Sequence, residues 1–384
     1  MKVFGINHNR VQIPPELRLA HRCNVKPRLH IKSRLETKAY NDDDDSSGPQ
    51  LPAVGWLWSD SKTAAQTRQR LKEQNLRPKK ALGQNFLLDD SILSSIVKSS
   101  GVGPGSNVLE IGPGTGNLTR HLLGTGALVT AVEKDTALYE SLKVDFADNN
   151  IELIHGDVMK QKLPDLIDTM AHHWNNSKAG SSNIDNDNDD SQSLPPPVTV
   201  VANLPYNITK DLLMSWLPQG GHLHISKMVL MLQHEVGERL TMPTPGASDW
   251  RVINLIVQYY SDARYVFRVD RRKYHPAPKV DGAMVEFIFK KTEDRIKVPD
   301  EKGFIRLMKQ AFSQKRKMMK NSIQPMVSGK DMGDALVACG MDEAARAQDL
   351  SLQQFAQLSW ELYNMKKDGE DSLDIVDNNE IEKE

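Results

Sequence analysis

The stretch Asn107-Val-Leu-Glu-Ile-Gly-Pro-Gly-Thr-Gly-Asn117 decides the fold. A short apolar, β-branched run passes into three glycines at alternate positions and then into helix-compatible sequence, Leu118–Leu123. Strand, tight turn and helix follow from that order. Gly112, Gly114 and Gly116 let the backbone turn sharply and approach a ligand with no Cβ in the way. Outward from this unit the alternation recurs, with Leu128–Val132 before Ala137–Phe146, Ile151–Ile154 before Leu163–His172, and then Val198–Ala202. Lys227–Leu232, Val252–Tyr260 and Ala283–Phe289 read as further strands. The spacing predicts an α/β fold, Rossmann-like, with a seven-stranded, mostly parallel sheet covered on both faces.

In such sheets ligands bind where strands end, so the residues at those ends matter most. Glu133 ends the second strand, where a carboxylate accepts hydrogen bonds from ribose hydroxyls, and Asp157 follows the third, placed for the adenine end of a nucleoside. The glycine turn by itself admits a dinucleotide or S-adenosylmethionine. The third glycine comes one residue early for a G-x-G-x-x-G pyrophosphate cradle, and that spacing favours the methyl donor. Asn203-Leu204-Pro205-Tyr206 ends the fourth strand beside this turn. An adenine amino group is a poor nucleophile because its lone pair is delocalised into the ring. Acceptors on its two hydrogens, the Asn203 amide oxygen and a carbonyl near Leu204, would turn that lone pair toward a methyl group. Pro205 stiffens the loop, and Tyr206 offers a face for a stacked purine.

Lys plus Arg (49) nearly equals Asp plus Glu (50) in the 384 residues, so any nucleic-acid surface must come from local clustering. Phe304–Lys330 holds seven basic residues and no acid, including Lys315, Arg316, Lys317 and Lys320. Arg264–Lys279 adds Arg268, Arg271, Arg272 and Lys273 against Asp270, and Arg68–Lys80 is also basic. Three such clusters suggest a phosphate-tracking face. The longest apolar runs are too short for a membrane-spanning helix. Two cysteines rule out a disulfide scaffold, and His234-Glu235 lacks the second His of H-E-x-x-H, so no metal is expected. The first forty residues are basic and poor in acids, like an organelle transit peptide, and an Asp42–Asp45 run closes them. Asn175–Pro197, rich in Asn, Asp, Ser and Pro, reads as a disordered insertion. After Lys297 helical patterns take over at Phe304–Phe312, Met332–Cys339 and Leu352–Tyr363, and the end is acidic.

Five segments, Arg77–Leu88 (RPKKALGQNFLL), the glycine turn, Asn203–Tyr206, Met231–Leu240 (MLQHEVGERL) and Tyr274–Asp281 (YHPAPKVD), together resemble the ribosomal RNA adenine dimethyltransferase family, from about Arg77 to Tyr363. Asp249–Val257 is similar to the plastid branch of that family. The resemblance implies a class I methyltransferase fold and S-adenosylmethionine as cofactor. It also implies methylation of N6 on two adjacent adenines in the 3′-terminal hairpin of small-subunit ribosomal RNA, with a role in ribosome biogenesis. The implied donor-site residues are Asn85, Leu87, Gly112, Gly114, Glu133, Asp157 and Asn203. Tyr206 and Tyr274 are the implied platform for the target base, with Tyr274 standing where the family often has Phe. A large-subunit adenine methylase, or an RNA-binding assembly or transcription factor of the same descent, stays open as an alternative.

The expected organisation is a largely disordered basic leader and linker over 1–76, a methyltransferase domain over 77–297, a helical domain over 298–367 and an acidic disordered tail over 368–384. A monomer acting on ribosomal RNA, within a pre-ribosomal particle and without a membrane, is the expected setting. The expected address is the chloroplast, with the mitochondrion second.

Overall fold

The computed structural model describes residues 60–73, 76–179, 195–324 and 326–368. The basic residues up to 59, the greater part of the expected insertion (180–194) and the acidic end from 369 lie outside the described residues. The chain runs α1 (Asp60–Glu73), β1 (Phe86–Leu87), α2 (Asp90–Ser100), β2 (Asn107–Ile111), α3 (Asn117–Leu123), β3 (Leu128–Glu133), α4 (Thr136–Asp145), β4 (Ile151–His155), α5 (Leu163–Ala179) and β5 (Val198–Asn203). It continues through α6 (Thr209–Gly220), β6 (Ile225–Gln233), α7 (His234–Thr241), α8 (Val252–Tyr260), β7 (Ser261–Val269), β8 (Tyr274–His275) and β9 (Gly282–Phe289). Four helices close the described chain, α9 (Glu301–Ser313), α10 (Met319–Ser322), α11 (Gly329–Ala338) and α12 (Leu352–Asp368).

Seven strands form one sheet in the order β4-β3-β2-β5-β6-β9-β7. The first five are mutually parallel, while β9 and β7 run antiparallel to their neighbours. Strands β2 and β3 are buried at every position, as expected of strands covered on both faces. One buried apolar cluster fills one side of the sheet and runs on, through Tyr259, Phe304 and Phe355, into the helices after β9. Arg295, in the connection to α9, stacks over the Tyr260 ring at 4.9 Å and reaches Glu301 at 3.5 Å. Among the described residues no helix is long and apolar enough to cross a membrane.

Three sequence expectations are corrected. Val252–Tyr260 is helix α8, not a strand, and the sixth strand is Ser261–Val269. A nine-residue apolar run buried on nearly all sides looks the same in sequence whether it is helix or strand. The true strand was hidden by its edge position, since it carries Arg264 and Arg268 outward to pair with Glu286 and Asp281 of the adjoining segment. Second, Asp60–Glu73 falls inside the expected disordered leader but is a helix, with Thr67 and Leu71 buried. Third, α5 runs on through Asn175 to Ala179, so the start of the expected insertion is helical.

One side chain anchors the first turn of α8. Asn254 is fully buried, its Nδ2 donating to the Arg239 carbonyl (2.7 Å) and its Oδ1 accepting from the Arg251 N–H (3.0 Å). Asn254→Ala orphans both backbone groups. It should lower the unfolding free energy by about 3 kcal/mol. Urea unfolding with an unchanged midpoint would contradict this role.

Candidate active site

The sheet order reverses between β2 and β5. The chain leaves β2 for β3 on one side and leaves β5 for β6 on the other, so a crevice opens at their carboxyl ends. Register aligns Ile111 with Ala202, which sets the glycine turn beside Asn203. The cleft there is lined by Asn85, Leu87, Gly112, Gly114, Glu133, Asp157, Asn203, Leu204, Pro205, Tyr206 and Tyr274. Every candidate donor-site and target-base residue thus meets in one cleft.

The turn separates the two ligand classes that sequence left open. Gly112, Gly114 and Gly116 all have φ between 60° and 73°, in the left-handed region that favours glycine. Their N–H groups are consumed within the fold, going to the Val132 carbonyl, the Glu133 carboxylate (3.0 Å) and the Pro113 carbonyl. None of the three is left to cradle a pyrophosphate, and the carboxylate beneath the turn repels one. At Gly112 a Cβ would meet no atom within 4 Å, so the backbone faces open space. An open glycine turn with carboxylates at the next two strand ends fits a nucleoside bearing a cationic amino-acid arm.

Burial raises the Glu133 carboxyl above its ordinary range, opposed by N–H bonds from Asp135 (2.8 Å) and Gly114. Asp157 is held below the ordinary range, chiefly by the Lys134 ammonium at 2.8 Å. Glu110, at the end of β2, is pushed up to about 8 by complete burial, with Thr119 and Arg120 opposing and Glu133 assisting. Glu110 and Lys134 both line the cleft and were not singled out from sequence. Their only signal was proximity in sequence, Glu110 two residues before the first glycine and Lys134 directly after Glu133.

Residues 81–87 form a strap across the cleft. Lys79 and Gln84 grip the two oxygens of Asp135, at 3.0 and 2.9 Å. Antiparallel pairing of β1 with β8 sets Leu87 opposite Tyr274, so the strap and the candidate base platform are fastened together. The Asn203 Nδ2 donates to the Asn85 carbonyl at 3.1 Å. The Asn203 amide oxygen is left without a protein partner among the described residues. Asp89 caps α2 by accepting from the Ile92 N–H.

Tyr206 and Tyr274 converge over Gly282, where a Cβ would lie 3.3 and 2.6 Å from their hydroxyl oxygens. Burial pushes Tyr206 up to about 12 and Tyr274 well above its ordinary value. Both therefore stay neutral phenols at physiological pH.

The seven candidate RNA-contacting cations lie outside the cleft lining. Arg271, Arg272 and Lys273 form a short turn immediately before Tyr274, all exposed. Arg272 pairs with Asp270, and Lys273 with Asp89. Lys315 donates to the Ser248 carbonyl at 3.3 Å, and Lys320 pairs with Glu343 at 2.8 Å. Arg316 and Lys317 are exposed, and none of the described ion pairs involves them.

A family model described as ribosomal RNA adenine dimethylase matches residues 75–364. The chain is 34% identical over 299 residues to ribosomal RNA small subunit methyltransferase A of Moorella thermoacetica, covering 77% of this chain and 96% of that one. It is 35% identical over 292 residues to the chloroplastic ribosomal RNA small subunit methyltransferase of Arabidopsis thaliana, covering 75% and 80%. Among solved structures, a dimethyladenosine transferase from Plasmodium falciparum superposes with a TM-score of 0.54 at 24% identity, over 73% of this chain and 97% of that one. At that identity the superposition establishes the fold.

Glu110 gives the cleft a pH signature. Its folded-state pKa is raised, so the folded chain keeps a proton that the unfolded chain releases above its own lower pKa. Stability should therefore fall as pH rises toward about 8 and level off above it. Glu110→Gln should flatten that slope and melt higher than wild type at pH above 8. A melting-temperature difference that stays constant from pH 5 to 9 would contradict the buried neutral carboxyl.

Proposed function

The chain belongs to the ribosomal RNA adenine dimethylase family, and from that premise we propose that it methylates N6 of two adjacent adenines in the 3′-terminal hairpin of small-subunit ribosomal RNA. The product is N6,N6-dimethyladenine at both positions, four transfers in all, from S-adenosylmethionine. The observation that carries the reading is the Asn203 amide, its nitrogen tied to Asn85 and its oxygen free for a ligand's N–H.

S-adenosylmethionine, when bound, supplies an electrophilic methyl on a sulfonium. Glu133 and Asp157 would hold its ribose and adenine, Gly112 and Gly114 its methionyl arm, and Asn85 and Leu87 would cover it. The Asn203 oxygen and the Leu204 carbonyl accept the two N6 hydrogens of the target base, drawing the nitrogen lone pair out of conjugation with the ring and toward the methyl. Pro205 keeps that carbonyl aimed. Tyr206 and Tyr274 give apolar faces for an adenine flipped from the hairpin loop, where unstacking costs little. As neutral phenols they take no proton, and none need be taken before the new N–C bond forms. Arg271, Arg272, Lys273, Lys315, Arg316, Lys317 and Lys320 are assigned to phosphates of the RNA.

The reading extends to a monomer with a catalytic unit over 77–297 and a helical unit over 298–367, acting on a pre-ribosomal particle in the chloroplast. The relative from Arabidopsis described as chloroplastic supports the address, with the mitochondrion as the other organelle that a basic leader suits.

Asn203→Ala should lower kcat by at least about 100-fold while stability is kept. Tyr206→Ala should weaken adenine binding by about 1–3 kcal/mol, with Tyr206→Phe close to wild type. Primer extension on small-subunit RNA, with and without the gene, checks the substrate, because dimethylated adenines arrest the polymerase. An unchanged arrest pattern would exclude that hairpin. For the address, a fluorescent fusion of residues Met1–Ser61 should enter the chloroplast. Diffuse cytosolic signal would exclude an organelle.

A further inference from the structure

Helix α1 precedes the stretch matched by the family model, which begins at residue 75, yet it is built into the cleft. Thr67 is buried, and its hydroxyl donates to Asn117 Oδ1 at 3.2 Å. Asn117, itself buried, opens α3 directly after the glycine turn, and its Nδ2 donates to the Leu87 carbonyl at 3.0 Å. Two residues earlier in the strap, the Asn85 carbonyl accepts from Asn203. Three hydrogen bonds thus link α1, the start of α3, the strap and Asn203. One helical turn after Thr67, Leu71 packs into a buried group with Phe86, Leu88 and Leu138, so the same face of α1 also grips β1 from its apolar side.

The chemistry of an amide makes the Thr67 contact directional. The Leu87 carbonyl requires the NH2 end of Asn117, which leaves Oδ1 as a buried acceptor that needs a donor. Thr67 is the donor the structure provides. Without its hydroxyl, the buried oxygen lacks a partner and the amide loses the contact that holds its orientation, so its grip on Leu87 loosens.

We propose that Thr67 is a positioning residue for methyl-donor binding, acting through Asn117 on strap residues Gly83–Leu87, and that α1 belongs to the working enzyme rather than to the leader. This rests on the donor reading of the cleft. It follows that any leader processing must end before Asp60.

The test compares full-length wild type with Thr67→Val, which keeps the shape and removes the hydroxyl, and Thr67→Ser, which restores it. Two quantities are read: the Kd for S-adenosylhomocysteine by calorimetry, and amide hydrogen exchange of residues 83–87 with no ligand present. Thr67→Val should raise the Kd about tenfold, the equivalent of about 1.4 kcal/mol, and speed exchange in the strap, while Thr67→Ser returns both to wild-type values. Wild-type Kd and exchange in Thr67→Val would overturn the proposal. So would equal defects in the Ser and Val variants, which would assign the effect to packing. If wild type bound no S-adenosylhomocysteine while strap exchange still followed the hydroxyl, the donor reading would fall and the coupling of Thr67 to the strap would stand.

Discussion

The parallel pairing of β2 with β5 is the constraint on which the site depends. These neighbours in space are separated in sequence by two strand–helix units, and their connections leave in opposite directions. A crevice at their carboxyl ends is therefore unavoidable, and whatever follows Ile111 and Ala202 must line it. On this chain those residues are the glycine turn and Asn203. Backbone hydrogen bonds between two buried strands hold the two at fixed separation, which loops alone would not do.

Electrostatics then sorts what the crevice can hold. The glycine turn has the outline of a phosphate-binding loop, but its N–H groups are spent on Val132, Glu133 and Pro113. Three carboxyls cluster at the ends of β2, β3 and β4, and each is treated differently. Glu110 is kept neutral by burial, Glu133 is partly compensated by backbone N–H groups, and Asp157 is held ionised by Lys134. A cationic ligand with hydroxyls suits this arrangement and a polyanion does not. The same argument moves the basic side chains outward, to the turn before Tyr274 and to the connection between α9 and α10.

The cleft is crossed by a strap whose regular structure is limited to one short helical turn at Lys80–Leu82 and β1. Asp135, Tyr274, Asn117 and Asn203 hold it from four elements far apart in sequence. Such a segment is stable only as the sum of distant contacts, and this explains why a helix as remote as α1 can bear on it.

Much of the fold was legible because buried parallel strands are rich in apolar, β-branched residues, as in Asn107–Ile111 and Val198–Ala202, and glycines mark the turn between strand and helix. Candidate site residues were legible because a strand end is a position in sequence, so Glu133, Asp157 and Asn203 could be named from where the apolar runs stop. Lys134, Thr67 and Asn117 could not, because their roles exist only as pairings across the fold. Val252–Tyr260 and Ser261–Val269 were misread for the converse reason, since full burial erases the helical period and an edge strand displays its arginines. Local composition and period, acting through backbone geometry and burial, thus determined the element types and the outline of the crevice. Which amide holds which carbonyl, which carboxyl is neutral and that α1 packs beside the strap were decided by tertiary structure alone, because hydrogen bonds and desolvation depend on distances between residues that the chain order does not set.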